Sequence, residues 1–452
     1  MARGWERSQP DLPSTSSRGV RCNGRSTIGW QQTGDNATRR HAHPEAIAAL
    51  RQGLALLSTL PDSPERLQRE LALQLTLGEL LMATQGMASP AAGDAYSRAH
   101  VLCQQVGDTP QRFRALCGLY MFHSAQAQLH TASAFGQQLF DLAQRQRDPV
   151  LVREGHVLLG TAALDQGDPV AARAHLAQSL ALSAGPQPAT ALSAAGLHPQ
   201  IESLAKLMRV LWLLGYADQA QRRGQDALAL AQHVGHPPSV AYAAYFVTTL
   251  AQCRRDVVAT LTQAEALMAL AQEQGLGFRL EQGRTLRGWA LAMQGDAATG
   301  VAQIRQGLAA HDQAGLPQLG HPAMLALLAE AYGQAGQPEV GLRVLDEAVT
   351  LVATTEARWW EAELHRLQGA LRLQLPMPDV PQAEACFHQA LDVARGQQAK
   401  SLELRAATSL ARLWQQQGQW EATRVLLAPV YSWFTEGFDT TDLQEAKVVL
   451  SM

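Results

Sequence analysis

YGQAGQPEVGLRVLDEA, residues 332–348, joins two apolar runs of helical spacing across a Gly–Pro break. Before the break, Leu325, Leu328, Ala329 and Tyr332 fall on one helical face; after it, Val340, Leu342, Leu345, Ala348 and Val349 do the same. Gly336 is suited to ending the first helix. Pro338 and Glu339 are suited to opening the second, because a first-turn proline forfeits no hydrogen bond and an acid there complements the helix dipole. The stretch therefore reads as the turn of a helical hairpin.

The same break recurs. LDQGDPVAARAHL places Gly167 at the turn, with Asp168 as N-cap and Pro169 just inside the helix. LLGYADQA places Gly215 there, AMQGDAATG Gly295, QQQGQWEAT Gly418 and ATQGMASP Gly86. Weaker copies place Ala127 in QAQLHTAS, Arg255 in QCRRDVVAT and Pro378 in LPMPDVPQAEA. The nine positions step by 40 to 42 residues, apart from one step of 48 that contains SAGPQPATALSAAG, a candidate longer loop. Between the breaks, Pro64, Pro110, Pro149, Pro199, Pro238 and Pro322 each precede a first helix, with Ser63, Thr109 and Asp148 as N-caps. Small residues hold fixed offsets: Gly160, Gly288 and Ala329 seven before their turns, and Ala172, Ala220, Gly300 and Gly341 five after. Leu211, Leu291, Tyr332 and Trp414 stand four before theirs as the large members. Closely approaching helices need this alternation of small and large side chains.

This is the tetratricopeptide pattern with its period stretched to about 40 residues from the usual ~34. It predicts an all-α chain, a right-handed superhelical array of antiparallel helix pairs that stack to build a continuous core. Residues 1–40 read as a disordered tail, 41–432 as the repeat array and 433–452 as a C-terminal capping helix. In that last segment Thr441-Asp442-Leu443-Gln444 has the form of a capping box, and Leu443, Ala446, Lys447 and Leu450 share a face.

Composition narrows the function. With 37 basic and 40 acidic residues the net charge is −3, and no basic excess points to nucleic acid. The five cysteines are scattered without C-x-x-C spacing, which fits a reducing cytoplasm. No run of 18 apolar residues predicts a membrane span, and the first forty residues lack the apolar centre of a signal peptide. The chain has only three lysines, Lys206, Lys400 and Lys447; none follows a glycine, so a phosphate-cradling loop is missing and no nucleotide cofactor is expected. GLGFRLEQG (275–283) resembles a dinucleotide motif only superficially and reads better as an inter-repeat turn. His41 and His43 read as solvated, and His123, His156 and His365 as ordinary helix residues. Glu361 and Glu363 read as a solvated pair, and Cys103 and Cys117 as buried small hydrophobes. No catalytic or metal-binding constellation emerges.

The C-terminal stretch from Ala383 to Leu450, including LARLWQQQGQWEATRVLLAPVYSWFTEGFDTTDLQEAKVVL, resembles the tail of bacterial multidomain proteins. These carry an adenylate/guanylate cyclase-type domain, an AAA-like ATPase and a terminal tetratricopeptide array. LRGWALAMQGDAATGVAQIRQGLAA and LLAEAYGQAGQ resemble their middle repeats, and LPDSPERLQRELALQLTLGELLMATQG their first ones. The resemblance spans about residues 44 to 450. It implies the regulatory part of a signalling protein without the catalytic domains it would regulate. The expected function is a non-catalytic scaffold that binds a protein or peptide segment in its concave groove; the alternative is a sensor that holds a small molecule there. Counting along the first helices gives Arg209, Trp212, Tyr242, Tyr245 and Trp289 as groove candidates. For Trp212 and Trp289 a place in the core between repeats is equally open.

Overall fold

The computed structural model describes residues 43–107, 110–183, 192–193, 196–313 and 320–451. The tail, the cap Thr109 and most of the 183–196 loop lie outside these residues. Twenty helices and no strand are found among the described residues. A leading helix α1 (His43–Leu57) is followed by nine pairs: α2 (Pro64–Gln85) with α3 (Pro90–Val106), α4 (Pro110–Ala125) with α5 (Leu129–Gln146), α6 (Pro149–Asp165) with α7 (Pro169–Leu182), and α8 (Pro199–Leu213) with α9 (Ala217–Val234). Next come α10 (Pro237–Cys253) with α11 (Val257–Glu273), α12 (Gly277–Met293) with α13 (Ala297–Gln313), α14 (His321–Gln334) with α15 (Pro338–Thr355), α16 (Glu361–Arg372) with α17 (Val380–Gly396), and α18 (Lys400–Gln416) with α19 (Trp420–Ser432). Helix α20 (Thr441–Ser451) closes the order. The first helix of each pair is even-numbered.

The turns fall where the sequence places them. Residues 86, 127, 167, 215, 255, 295, 336 and 418 all have positive φ, between 56° and 101°. Glycine enters that region freely, whereas Ala127 and Arg255 are held there against their side chains. After most of these turns the next N–H reaches back five residues, as Gln337 does to Tyr332 O (2.9 Å) and Gln419 to Trp414 O (2.8 Å), the 6→1 bond of a Schellman motif. Ser63 accepts from Arg66 N, Asp148 from Val150 N and Leu151 N, and Asp168 from Ala171 N. The small-residue offsets are sites of close approach. A Cβ on Gly288 would stand 2.7 Å from Gly300 O, and one on Gly300 2.5 Å from Gly288 O.

Neighbouring pairs are also joined one period apart. Tyr120 Oη donates to Leu158 O (2.9 Å), His198 N to Ser239 Oγ (2.9 Å), Trp289 Nε1 to Glu330 Oε2 (2.7 Å) and Arg405 Nη1 to Glu363 Oε1 (3.3 Å). One hydrophobic cluster runs unbroken from Leu164 on α6 to Leu402 on α18. On α20, Leu443, Ala446 and Val449 pack with Leu404 and Leu410 of α18 and Leu427 of α19, while Lys447 faces solvent. The anticipated capping box is out of register, because helix α20 already includes Thr441 and the N-cap position falls on Thr440; Asp442 accepts from Arg405 Nε at 2.9 Å.

The superhelix returns on itself after five pairs. Arg358 N donates to Asp165 O at 2.8 Å, and Ser401 Oγ to Trp212 O at 2.5 Å. Glu436 Oε1 accepts from Asp218 N and Gln219 N, both at 3.0 Å, and so caps α9 from 217 residues or more away. Arg254 pairs with Asp439 (2.8 Å), and the Trp433 and Phe434 rings cover the Gly215 turn. The third, fourth and fifth pairs thus carry the chain's own C-terminal end.

Candidate functional site

Three cavities open among the even helices. The largest has about 1400 Å³ of open space, its mouth included, and is lined from five consecutive even helices, α4 to α12. Its wall is mainly apolar: Met87, Met121, Leu158, Leu197, Leu276 and Phe278 contribute, with Tyr120 and Tyr242. A second, much tighter cavity lies among α8, α10, α12, α14 and the start of α16, with Arg209, Tyr245, Trp359 and Trp360 in its wall. The third, about 780 Å³, is strongly charged and is lined by Arg255, Glu330, Arg366, Arg405 and Asp442 among others.

The first cavity places charge in an apolar setting. Glu202 is buried on α8 and accepts from Lys206 Nζ (2.7 Å) on one oxygen and Ser193 Oγ (2.7 Å) on the other. Burial works against the Lys206 ammonium, but Glu202, Tyr242 and Tyr120 outweigh it and hold the lysine above its ordinary range. Burial drives the Tyr242 phenol up to about 12 and the Tyr120 phenol further still. Asp165, at the end of α6, is pushed up to about 6 by burial, with Arg209 and Lys206 pulling the other way. No carboxylate lies within ion-pair distance of Arg279 among the described residues. Its guanidinium sits over the rings of Tyr242 (5.0 Å), Tyr245 (5.3 Å) and Phe278 (5.1 Å), and burial lowers its pKa.

The Asp165 shift has a sign that can be checked. Between the ordinary carboxyl range and about 6, the native state holds a proton that the unfolded chain has released, so stability falls as pH rises through that window. Asp165→Asn should therefore stabilise the protein at pH 7 by about 1–3 kcal/mol, and the advantage should vanish at pH 4. Denaturant midpoints at the two pH values test this; equal midpoints of the two proteins at pH 7 would show that the buried charge costs nothing.

The five groove candidates all lie on even helices but are not equivalent. Trp289 is fully buried and Trp212 is 2% exposed, so neither offers surface to a ligand; both fill the core. Trp212 lies tilted against Trp360 (5.7 Å), with Arg405 over its ring, because the returning C-terminal pairs pack against it. Arg209 and Tyr245 line the second cavity, and Arg209 lies over Phe246 and Trp359 at 4.5 and 4.8 Å. Tyr242 lines the first cavity.

Sequence reasoning passed over Asp165, Glu202, Lys206, Phe278 and Arg279. The signal for the ion pair was available: Glu202 and Lys206 are an i, i+4 couple on an otherwise apolar helix, and Lys206 is one of three lysines. Of the 275–283 segment only Gly275 (φ 66°) and Leu276 form the inter-repeat turn; residues 277–283 are instead the start of α12, which delivers Phe278 and Arg279 to the cavity. Glu363 differs from expectation. It is buried rather than solvated, because Arg366 and Arg405 both reach it, and despite the upward pull of burial these two cations bring it down to about 2. Cys103 and Cys117 are buried, His365 donates or accepts with Gln368 (3.1 Å), and His156 meets His175 (3.0 Å) on α7. Among the described residues no group of three His, Cys, Asp or Glu is arranged to hold a metal, and no helix is long and apolar enough to cross a membrane.

The chain matches no family model. An uncharacterized protein of Rhizobium meliloti (strain 1021) is 23% identical over 389 residues, which cover 84% of this chain and 37% of that protein. The chain thus spans little more than a third of that relative's length. Among solved structures, the apo form of RapI is similar with a TM-score of 0.52 at 12% identity, covering 63% of this chain and 97% of RapI. The Rap conjugation gene regulator of plasmid pLS20, solved in complex with the Phr* peptide, is similar with a TM-score of 0.50 at 9% identity, covering 86% of this chain and 98% of that one. At such identities the likeness is one of fold.

Proposed function

We propose that this chain is a non-catalytic regulatory scaffold that binds a peptide or protein segment in its concave face. The observation that carries the reading is the largest cavity: five consecutive even helices supply an apolar wall with a few charged groups set into it, the makeup of a binding site. The pLS20 regulator, similar in fold, holds the Phr* peptide, and this supports a peptide as the occupant. The longer Rhizobium relative supports reading the chain as one part of a larger architecture. A cyclase- or ATPase-type partner domain is the form suggested by the tail sequence.

The test is the low-mass material that co-purifies with the native protein, read by mass spectrometry for the wild type and for Met121→Trp, which fills the cavity from α4. Peptides are expected on the wild type and not on the variant, with the variant's melting temperature nearly unchanged. A metabolite in their place would turn the assignment to a small-molecule sensor, and equal material on both proteins would remove the cavity as the site.

A further inference from the structure

We propose that the largest cavity selects a short apolar peptide with both ends free, its amino group at Asp165 and its carboxylate at Arg279. This rests on the peptide reading above and adds what the site recognises.

The argument starts from charge that the protein leaves uncompensated. Most buried ions here are paired closely: Lys206 with Glu202 at 2.7 Å, Glu363 with Arg366 at 2.8 Å and Glu330 with Arg255 at 2.9 Å. Asp165 and Arg279 line the same cavity and lack that treatment. No cation stands within ion-pair distance of the Asp165 carboxylate among the described residues, and burial holds back its ionisation. Arg279 donates to Gln282 Oε1 at 2.5 Å and otherwise meets aromatic faces, which leaves its fork short of an anion. Both Asp165 and Arg279 are half-buried and remain accessible from the cavity.

A ligand that brings one cation and one anion on an apolar body relieves both groups at once, whereas a singly charged ligand leaves the other stranded in a low-dielectric wall. The apolar body fits the rest of the lining, to which Met121, Leu158 and Phe278 contribute. Guanidinium and carboxylate also match as a two-pronged pair, so Arg279 suits a terminal carboxylate better than a backbone carbonyl. An internal segment of a longer protein would thread the cavity with neutral amides and meet neither charge. The free-ended peptide is therefore the occupant that the charge pattern fits.

The probe is an equimolar pool of tripeptides of Leu, Ile, Val, Phe and Met in four forms: free, N-acetylated, C-amidated and doubly capped. Equilibrium dialysis against the intact chain, with mass-spectrometric readout, measures retention. Each single cap is expected to lower retention roughly tenfold, the effect of losing one charge-assisted hydrogen bond. Asp165→Asn should remove the penalty of acetylation and keep that of amidation; Arg279→Gln should do the reverse. Melting temperatures of both variants establish that they are folded. If the doubly capped pool is retained as well as the free one, recognition of the ends is wrong while peptide binding stands. If no pool is retained, a short peptide in this cavity is wrong as well. If each variant loses every form equally, the two residues shape the cavity and do not read the ends.

Discussion

Arg405→Leu should lower the stability of the whole array by about 3–5 kcal/mol, the loss seen when one member of a buried charge network is removed. Arg405 is buried on α18 and serves three partners at once. Its Nε donates to Asp442 on α20 (2.9 Å), its Nη1 to Glu363 on α16 (3.3 Å) and its Nη2 to the Cys253 carbonyl at the end of α10, and its plane lies over Trp212 of α8 at 5.1 Å. Leucine leaves Asp442 and a backbone carbonyl without donors, and it cuts the tie between the C-terminal pairs and the middle of the superhelix. Both the denaturant midpoint and the radius of gyration in solution should move, the second upward as α18 to α20 loosen from α8 and α10. Arg405→Lys, which keeps the charge and loses the fork, should fall between the two. An unchanged radius with a lowered midpoint would show that Arg405 stabilises its own pair only.

That network marks the limit of what the sequence makes legible. The repeat register is local chemistry: a left-handed turn residue, an N-cap or proline, and small residues at set offsets, repeated often enough that weak copies such as Ala127 and Arg255 could be placed by period. Closure of the superhelix has no such signature. It joins residues 152 to 226 positions apart, through groups as ordinary as Ser401, Glu436 and Arg405. Because closure buries part of the concave face, a count along the even helices identifies the residues that point inward but not whether the chain itself covers them. Arg209, Tyr242 and Tyr245 stay beside open space, and Trp212 is covered by α16 and α18. Glu363 departs from its reading for the same reason: Glu361 at i−2 suggests a solvated pair, whereas one of the two arginines that reach Glu363, Arg405, comes from the next repeat. Asp165, Glu202 and Lys206 become a group only when α6 and α8 are set side by side.

Trp289 separates a groove anchor from a core residue by experiment. Its side chain is fully buried on α12, and Nε1 donates to Glu330 Oε2 of α14 at 2.7 Å, while Glu330 Oε1 meets Arg255 Nη2 of the fifth turn at 2.9 Å. Three successive pairs are therefore joined through one carboxylate, and the net effect on it is a lowered pKa: burial raises it, and Arg255, Arg366 and the indole N–H together outweigh that. Trp289→Ala should cost about 3–5 kcal/mol from lost packing and the cavity it leaves. Trp289→Phe keeps most of the volume and removes only the indole donor, so about 1–3 kcal/mol is expected for the weakened Glu330. Denaturant unfolding measures both. Peptide retention by Trp289→Phe, measured under conditions where it is fully folded, should equal that of the wild type, because the residue shares no wall with the largest cavity. Lost retention with an unchanged unfolding midpoint is the pattern of a surface anchor, and it would overturn the placement of this tryptophan in the core.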